Sequence, residues 1–203
     1  MISLFRRSWM AVSLVLASTS LWAADLDAVT SRLSTEPLVT GEFVQRREVA
    51  SLPFPLMSTG EFVLLRDEGL YWHVLTPAES ELRIRDGEVQ ERIGGDAAAW
   101  TSPPLGRQGN RMTASLLTDL LAGRFLALDR LFELAVESGE AAWTVRLTPR
   151  SAAYARFVRT IEVEGGRHVR RVRLSHDDGE STTIELETEA PRELTPRERG
   201  ILE

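Results

Sequence analysis

The architecture can be read most directly from residues 58–86, which run STGEFVLLRDEGLYWHVLTPAESELRIRD. Apolar and polar residues alternate here, as they do in β-strands that have one buried face. Residues 67–69 (DEG) interrupt the alternation as a turn, and Asp86-Gly87 is a favoured two-residue hairpin turn. The stretch therefore predicts consecutive antiparallel strands.

One face of these strands is predicted to point inward, because every second residue on it is apolar. Arg66 shares that parity, so its side chain either lies on an apolar wall or ends the strand with its head group in water. The predicted inward-facing residues are Phe62, Leu64, Leu70, Trp72, Val74, Leu82 and Ile84.

The period of two continues on both sides of this stretch. Upstream, residues 41–47 predict a strand that carries Phe43, and a loop with Pro53 and Pro55 follows it. Downstream, the predicted strands are residues 88–92, 132–137, 143–147, 158–164, 167–175 and 180–187. Trp143 lies on the apolar side of its strand. Together the segments make roughly nine or ten short strands, which indicates a mainly β fold.

Two segments have the helical period instead. Residues 25–34 predict a short amphipathic helix, and Thr113 to Ala122 predict a longer one that ends at Gly123. One flank of the longer helix carries Leu116, Leu117, Leu120 and Leu121. Residues 97–110 have no period and are predicted to be a loop, and the charged tail from Pro191 onward is predicted to be solvated.

Two helices are too few to cover both faces of so long a sheet, so the sheet is predicted to curl around them. The predicted fold class is mainly β with some α, as an unclosed antiparallel β-barrel or curved sheet with a helical lid. The concave side of such a sheet forms an apolar cleft.

Residues 1–23 have the features of a secretory signal peptide. Two arginines precede an apolar run from Trp9 to Leu16, and small residues follow it. The run is too short to cross a bilayer of roughly 30 Å. We therefore expect cleavage near Ala24, export to the periplasm, and a single domain over residues 24–203.

The composition disfavours several classes of function. Without cysteine there is no disulfide, no thiol chemistry and no attachment point for a lipid anchor, and without lysine there is no Schiff base. The net charge of −6 disfavours nucleic-acid binding. His176-Asp177-Asp178 is typical of a turn rather than a metal site, and no catalytic or nucleotide-binding motif is present. We expect neither an enzyme nor a protein with a metal or cofactor.

Several segments of the chain resemble the LolA family of outer-membrane lipoprotein carriers. They are residues 41–45 (GEFVQ), residues 56–62 (LMSTGEF), Arg66 six residues before Trp72, Thr76-Pro77, Asp86-Gly87 and residues 147–150 (LTPR). The resemblance implies an unclosed β-barrel with helices as a lid, which holds the acyl chains of lipoproteins in an apolar cavity. Such a carrier or chaperone serves protein transport in outer-membrane biogenesis. It receives cargo from an inner-membrane ABC exporter and passes it to an outer-membrane acceptor.

The resemblance also implies roles for individual residues. The functional arginine of the family falls on Arg66, and Trp72 matches an aromatic of the family. Asp67 and Leu70 stand where the family usually has proline and an aromatic, which indicates a divergent relative. The predicted ligand-binding residues are Phe43, Phe62, Leu64, Arg66, Leu70, Trp72, Val74, Leu82, Ile84, Leu116, Leu120 and Trp143. For Trp72 and Trp143 a purely structural place in the core is the alternative.

Two other functions fit the same sequence. One is a periplasmic carrier of another acylated lipid or of a pigment ester, and the other is a signalling module that senses misplaced lipoproteins through a partner protein. An esterase lacks a nucleophile motif. In each case we expect a monomer.

Overall fold

The computed structural model describes residues 26–104, 106–177 and 179–202, apart from the side chains of residues 106–110, 112 and 113. The predicted signal peptide lies outside these residues. The described part of the chain forms ten strands in a single antiparallel sheet, and short helices accompany it. A mainly β fold was the prediction from the alternating pattern, and it is confirmed.

The strands agree closely with the alternating segments of the sequence. They are β1 (Leu38–Glu48), β2 (Leu56–Leu65), β3 (Gly69–Thr76), β4 (Ser80–Arg85), β5 (Glu88–Ile93), β6 (Phe132–Ser138), β7 (Trp143–Pro149), β8 (Thr160–Gly165), β9 (Val169–Ser175) and β10 (Ser181–Thr188). Their order across the sheet is β5-β4-β3-β2-β1-β10-β9-β8-β7-β6. The first and last strands therefore pair in the middle. Within the described residues β5 and β6 are the two edges, so the barrel is not closed.

Five helical segments accompany the sheet. They are α1 (residues 26–30), α2 (Gly106–Leu121), α3 (Phe125–Leu128), α4 (Ala152–Ala155) and α5 (Pro196–Leu202). Inward-facing residues from all ten strands pack with α1, α2 and α3 in one hydrophobic core. Because β4 and β5 share this core with β7 and β8, the sheet curls around these helices as predicted.

Two turns have the backbone geometry that their residues favour. Asp86 and Gly87 have φ of 52° and 73°, the positive values that a two-residue hairpin of this type requires. Gly123 has φ of 67° and follows the end of α2. The amide of Arg124 donates to the carbonyl of Asp119 (2.8 Å), and the amide of Gly123 donates to that of Leu120 (3.1 Å). This pair of bonds is a Schellman motif, and the predicted helix end is confirmed.

The helix α2 begins earlier in the chain than predicted. The helix begins at Gly106, whereas residues 97–110 were predicted to be a loop and the helix to begin at Thr113. Glycine and asparagine have weak helix propensity, which explains the error. Tertiary contacts outweigh that propensity, because Ala114 is buried and Arg111 forms an ion pair with Glu88 of β5 (3.2 Å).

The C-terminal tail is a second correction. The chain beyond Pro191 was predicted to be solvated, but α5 lies on the outer face of the sheet and buries Ile201 and Leu202. They pack with Val63 and Tyr71, whose parity is opposite to that of the inner face. The short helices α3 and α4 were not predicted either.

A buried polar cluster holds α5 to the sheet. The Glu81 carboxylate is fully buried and accepts hydrogen bonds from Tyr71, Arg92 and Arg197, the last at 2.8 Å. Burial alone would raise the pKa of Glu81, but these partners outweigh it and lower the pKa. The network therefore keeps a charged group beneath the helix.

Candidate functional site

The candidate site is an apolar cavity of about 220 Å³ between α2 and the inner face of the sheet. Leucines of the predicted helix flank form its roof, and residues of both halves of the sheet form its floor. The lining residues are Gln45, Leu70, Trp72, Leu82, Leu116, Leu117, Leu120, Leu121, Val172, Leu174 and Ile184. Apart from Gln45, every lining side chain is aliphatic or aromatic, so the cavity suits a hydrocarbon.

Five of the predicted site residues line this cavity: Leu70, Trp72, Leu82, Leu116 and Leu120. Phe43 and Ile84 are buried in the adjoining core, and Val74 packs against it. Phe62, Leu64 and Arg66 surround a second, nearly filled space of about 10 Å³ near the end of α2. The inner face around Arg66 is therefore tightly packed.

Trp143 stands apart from the cavity. It is 1% exposed, its indole donates a hydrogen bond to the carbonyl of Gly166 (2.8 Å), and its ring meets the edge of Phe125. These contacts fit the alternative of a structural core residue.

Several lining residues were missed in the sequence. Val172, Leu174 and Ile184 lie on β9 and β10 and have the inward parity of their strands. Their alternation was a usable signal, but nothing in the sequence shows that these strands face α2 together with β3. Gln45 is polar, so the hydrophobic pattern does not mark it as a lining residue.

Stacked aromatic rings form the wall beside the cavity. The ring of Trp72 stacks on Phe43 with centroids 3.8 Å apart, and Phe62 lies 6.1 Å from it on a nearly parallel plane. Gly60 makes room for this stack, because a Cβ there would meet Phe43 at 2.6 Å. The stack fixes the indole that lines the cavity.

Arg66 connects the sheet to the end of α2. It directly follows β2, and its guanidinium donates to the carbonyls of Ala122 (2.6 Å), Ser34 (2.6 Å) and Glu36 (3.2 Å). Of the two sequence alternatives, the structure shows a partly buried arginine on carbonyl oxygens rather than one directed to water. Burial and the nearby Arg124 lower the pKa of Arg66.

A second contact joins the same two elements. Arg124, just after α2, forms ion pairs with Asp119 of the helix (2.8 Å) and with Asp67 beside Arg66 (3.1 Å). We call Arg66, Asp67, Ala122 and Arg124 the latch. The latch holds the C-terminal end of α2 against the end of β2.

A larger depression of about 820 Å³ lies around the middle of the sheet. Its lining includes four glutamates and two arginines: Glu42, Glu61, Glu185, Glu187, Arg167 and Arg170. So many charged groups make it a poor place for an apolar ligand.

An unclosed antiparallel sheet with an apolar cavity beneath a helix defines the class of open β-barrel proteins with an apolar interior. The chain belongs to the family described as outer membrane lipoprotein carrier protein LolA-like, which matches residues 18–192. No curated protein matches the chain.

The chain is similar to several solved structures at low sequence identity. The LolA superfamily protein NE2245 from Nitrosomonas europaea is 8% identical, with a TM-score of 0.44 over 87% of this chain and 96% of that one. A DUF1329 family protein from Desulfovibrio piger is 10% identical, with a TM-score of 0.47 over 90% and 99%. MucB is 16% identical, with a TM-score of 0.51 over 88% of this chain and 62% of its own. MucB from Pseudomonas aeruginosa has also been solved in complex with MucA. The similarity to MucB at a TM-score of 0.51 concerns the fold alone.

Among the helices that the structure describes, none has the length and apolar character needed to cross a membrane.

Proposed function

We propose that the protein is a periplasmic carrier that binds the acyl chains of lipoproteins in the cavity beneath α2 and moves them from the inner to the outer membrane. The observation that carries the proposal is the aliphatic and aromatic lining of that cavity, with Arg66 bound to the helix that roofs it. The carrier acts as a monomer and by binding rather than by catalysis.

The driving force for uptake is burial of hydrocarbon. Burying about ten methylenes at ~0.8 kcal/mol each gives about 8 kcal/mol, which corresponds to roughly micromolar affinity before ordering costs. The cavity of about 220 Å³ is smaller than the roughly 300–1,000 Å³ usual for ligand sites. A complete acyl chain therefore requires α2 to move away from the sheet.

Movement of α2 connects loading to the latch. As the helix lifts, Arg66 loses its bond to the Ala122 carbonyl and keeps those to Ser34 and Glu36, so one donor group of a partly buried guanidinium is left without an acceptor, which is costly. Loading thus breaks favourable polar contacts, and release restores them. A pocket that used apolar burial alone would load readily and hold its cargo too firmly to pass it on.

Titration of delipidated mature protein with a fluorescent fatty acid tests the cavity. Binding should saturate and show a negative heat-capacity change. Leu116→Trp fills the space under α2 and should weaken uptake, whereas Leu126→Trp, at an exposed position of α3, should not. Absence of saturable uptake by the wild type would refute the proposed cavity.

The cargo and the route need separate experiments. Mass spectrometry of whatever copurifies with the periplasmic protein should find acylated lipoproteins, and a free lipid or pigment ester would favour the carrier alternative. N-terminal sequencing should show a mature chain that starts near Ala24. Crosslinking in cells should join it to an inner-membrane ABC exporter and to an outer-membrane acceptor.

A sensing role is the remaining alternative. The similarity to MucB is a similarity of fold and does not by itself favour signalling. Copurification of a stable protein partner without acylated cargo would favour a sensor.

A further inference from the structure

Among the described residues that line the cavity beneath α2, Gln45 alone has a polar side chain. It is half-buried, and no other described residue forms a hydrogen bond with its carboxamide. The carboxamide has two N–H donors and one carbonyl acceptor. A polar group that is partly withdrawn from water in an apolar wall is unfavourable until a partner binds it. Gln45 therefore suits a ligand that brings one polar atom into the cavity.

Strand register places a second uncharged polar group beside Gln45. Ser58 of β2 pairs with it, so the two side chains share the inner face of the sheet with Cβ atoms roughly 4.5–5.5 Å apart. Within the described part of the chain the Ser58 hydroxyl has no hydrogen-bond partner either. On the other side Gln45 pairs with the apolar Ile184 of β10. One carbonyl oxygen at this level can accept hydrogen bonds from both polar side chains.

The inner face of β1 changes from apolar to charged towards one end. Phe43 is 2% exposed, Gln45 is half-buried and Arg47 is exposed, and each step along the strand is roughly 7 Å. The apolar end adjoins the latch, because the amide of Arg66 donates to the carbonyl of Pro37 just before β1 (2.9 Å). The succession of apolar, uncharged polar and charged groups matches that of an acyl ester, whose carbonyl lies between the hydrocarbon and the head group.

The charge at this end of β1 favours an uncharged carbonyl over a carboxylate. Arg47 forms an ion pair with Glu180 (3.4 Å), so its charge is already compensated. A fatty-acid carboxylate at Gln45 would lose water without gaining an uncompensated cation, which is costly. The carbonyl oxygen of an ester needs only a hydrogen-bond donor, and the carboxamide supplies one.

We propose that Gln45 binds the carbonyl oxygen of acyl esters in this cavity. Its carboxamide donates to the carbonyl, Ser58 supplies a second donor, and the hydrocarbon extends beneath α2 towards the latch. The inference rests on the proposed carriage of acyl chains, and it adds the atom that is recognised and the direction in which the chain lies.

Two ligands that differ only at the acyl carbonyl test this contact. Methyl palmitate has the carbonyl and methyl hexadecyl ether lacks it, and each is used to displace a fluorescent fatty acid from delipidated mature protein. The quantity compared is the ratio of their two dissociation constants, because the apolar burial that both ligands share cancels in it. Gln45→Met keeps the size of the side chain and removes its donors. The ratio should therefore shift against the ester by about two- to tenfold, which is the effect of one hydrogen bond.

Leu174→Met is the matched control, since it introduces the same side chain at an apolar lining position and should leave the ratio at its wild-type value. An unchanged ratio in Gln45→Met would overturn the contact and leave the cavity intact. Failure of the wild type to bind the fluorescent fatty acid and both palmityl ligands would instead refute the cavity, and this contact with it. The two failures are therefore distinguishable.

Discussion

Arg66→Leu should trap cargo on the carrier. The substitution removes three hydrogen bonds to carbonyls, of which the bond to Ala122 joins the sheet to α2. A hydrogen bond to a charged group contributes about 1.5–3 kcal/mol, and 1.4 kcal/mol is a factor of ten. If loading breaks the Ala122 bond alone, the variant should bind cargo roughly ten- to hundredfold more tightly and release it correspondingly more slowly.

We expect the fold to survive this change, because Arg66 follows the end of β2, but at a cost of about 1–3 kcal/mol for the carbonyls of the buried Ser34 and Ala122, which lose their donor. The assay compares transfer of a fluorescent acylated cargo to acceptor membranes at matched loading. Arg66→Lys keeps the charge but not the fork of donors, so its rate should lie between those of the wild type and Arg66→Leu. Arg130→Leu, at an exposed position before β6, controls for loss of a surface charge. Equal transfer by Arg66→Leu and wild type would mean that the latch does not govern release.

Three further predictions concern the end of α2, the latch and the C-terminal helix. Gly123→Ala should destabilise the fold by about 1 kcal/mol or more in thermal unfolding, because φ is 67° and the new Cβ would lie 2.5 Å from Leu33. Gly200→Ala in α5 is the control, since a Cβ there has no neighbour within 4 Å and the substitution should be neutral or stabilising. Asp67→Asn should slow cargo transfer by less than about fivefold, because the Asp67 carboxylate is exposed and its ion pair with Arg124 contributes little. High salt screens this pair, so the difference from wild type should disappear there. A hydrogen bond from Arg192 lowers the pKa of Glu198 from 4.5 to about 2. That stabilisation is complete above pH 4.5 and lost towards pH 2, so Glu198→Gln should be less stable than wild type at pH 7 in urea unfolding and indistinguishable from it near pH 2.

The fold was largely predictable because local signals agree with it. Alternation places the strands, and Asp86-Gly87 specifies its hairpin through residues that tolerate positive φ. The start of α2 was not predictable in the same way, because its first turns contain weak helix formers, and contacts of α2 with β5, such as that of Arg111 with Glu88, lie far away in the sequence.

The helix α5 had a signal that was overlooked. Thr195 and Glu198 form a capping box, in which each side chain binds the other's backbone amide, and Pro196 occupies the first helical position. The charged composition of the tail hid this pattern. Its attachment through Glu81 and Arg197 joins residues far apart in the sequence, which no local pattern shows.

The site was predictable in kind but not in detail. Parity left two places open for Arg66, an apolar wall or a strand end in water, and the structure shows it on carbonyl oxygens. Which carbonyls these are depends on where α1 and α2 end relative to β2. In the same way, Val172 and Ile184 are readable as inward-facing, but their place beneath α2 follows from the pairing of β1 with β10.

The missing pairing between β5 and β6 among the described residues has a mechanical consequence. In a closed barrel the girth is fixed by the number of strands and their stagger. Among the described residues nine strand pairings run from β5 to β6 and none joins these two strands, so small changes of twist at each pairing add up to a wider or narrower trough without breaking a ladder. The capacity of the interior is therefore elastic, which under the proposed function lets one chain take hydrocarbon tails that differ in number and length.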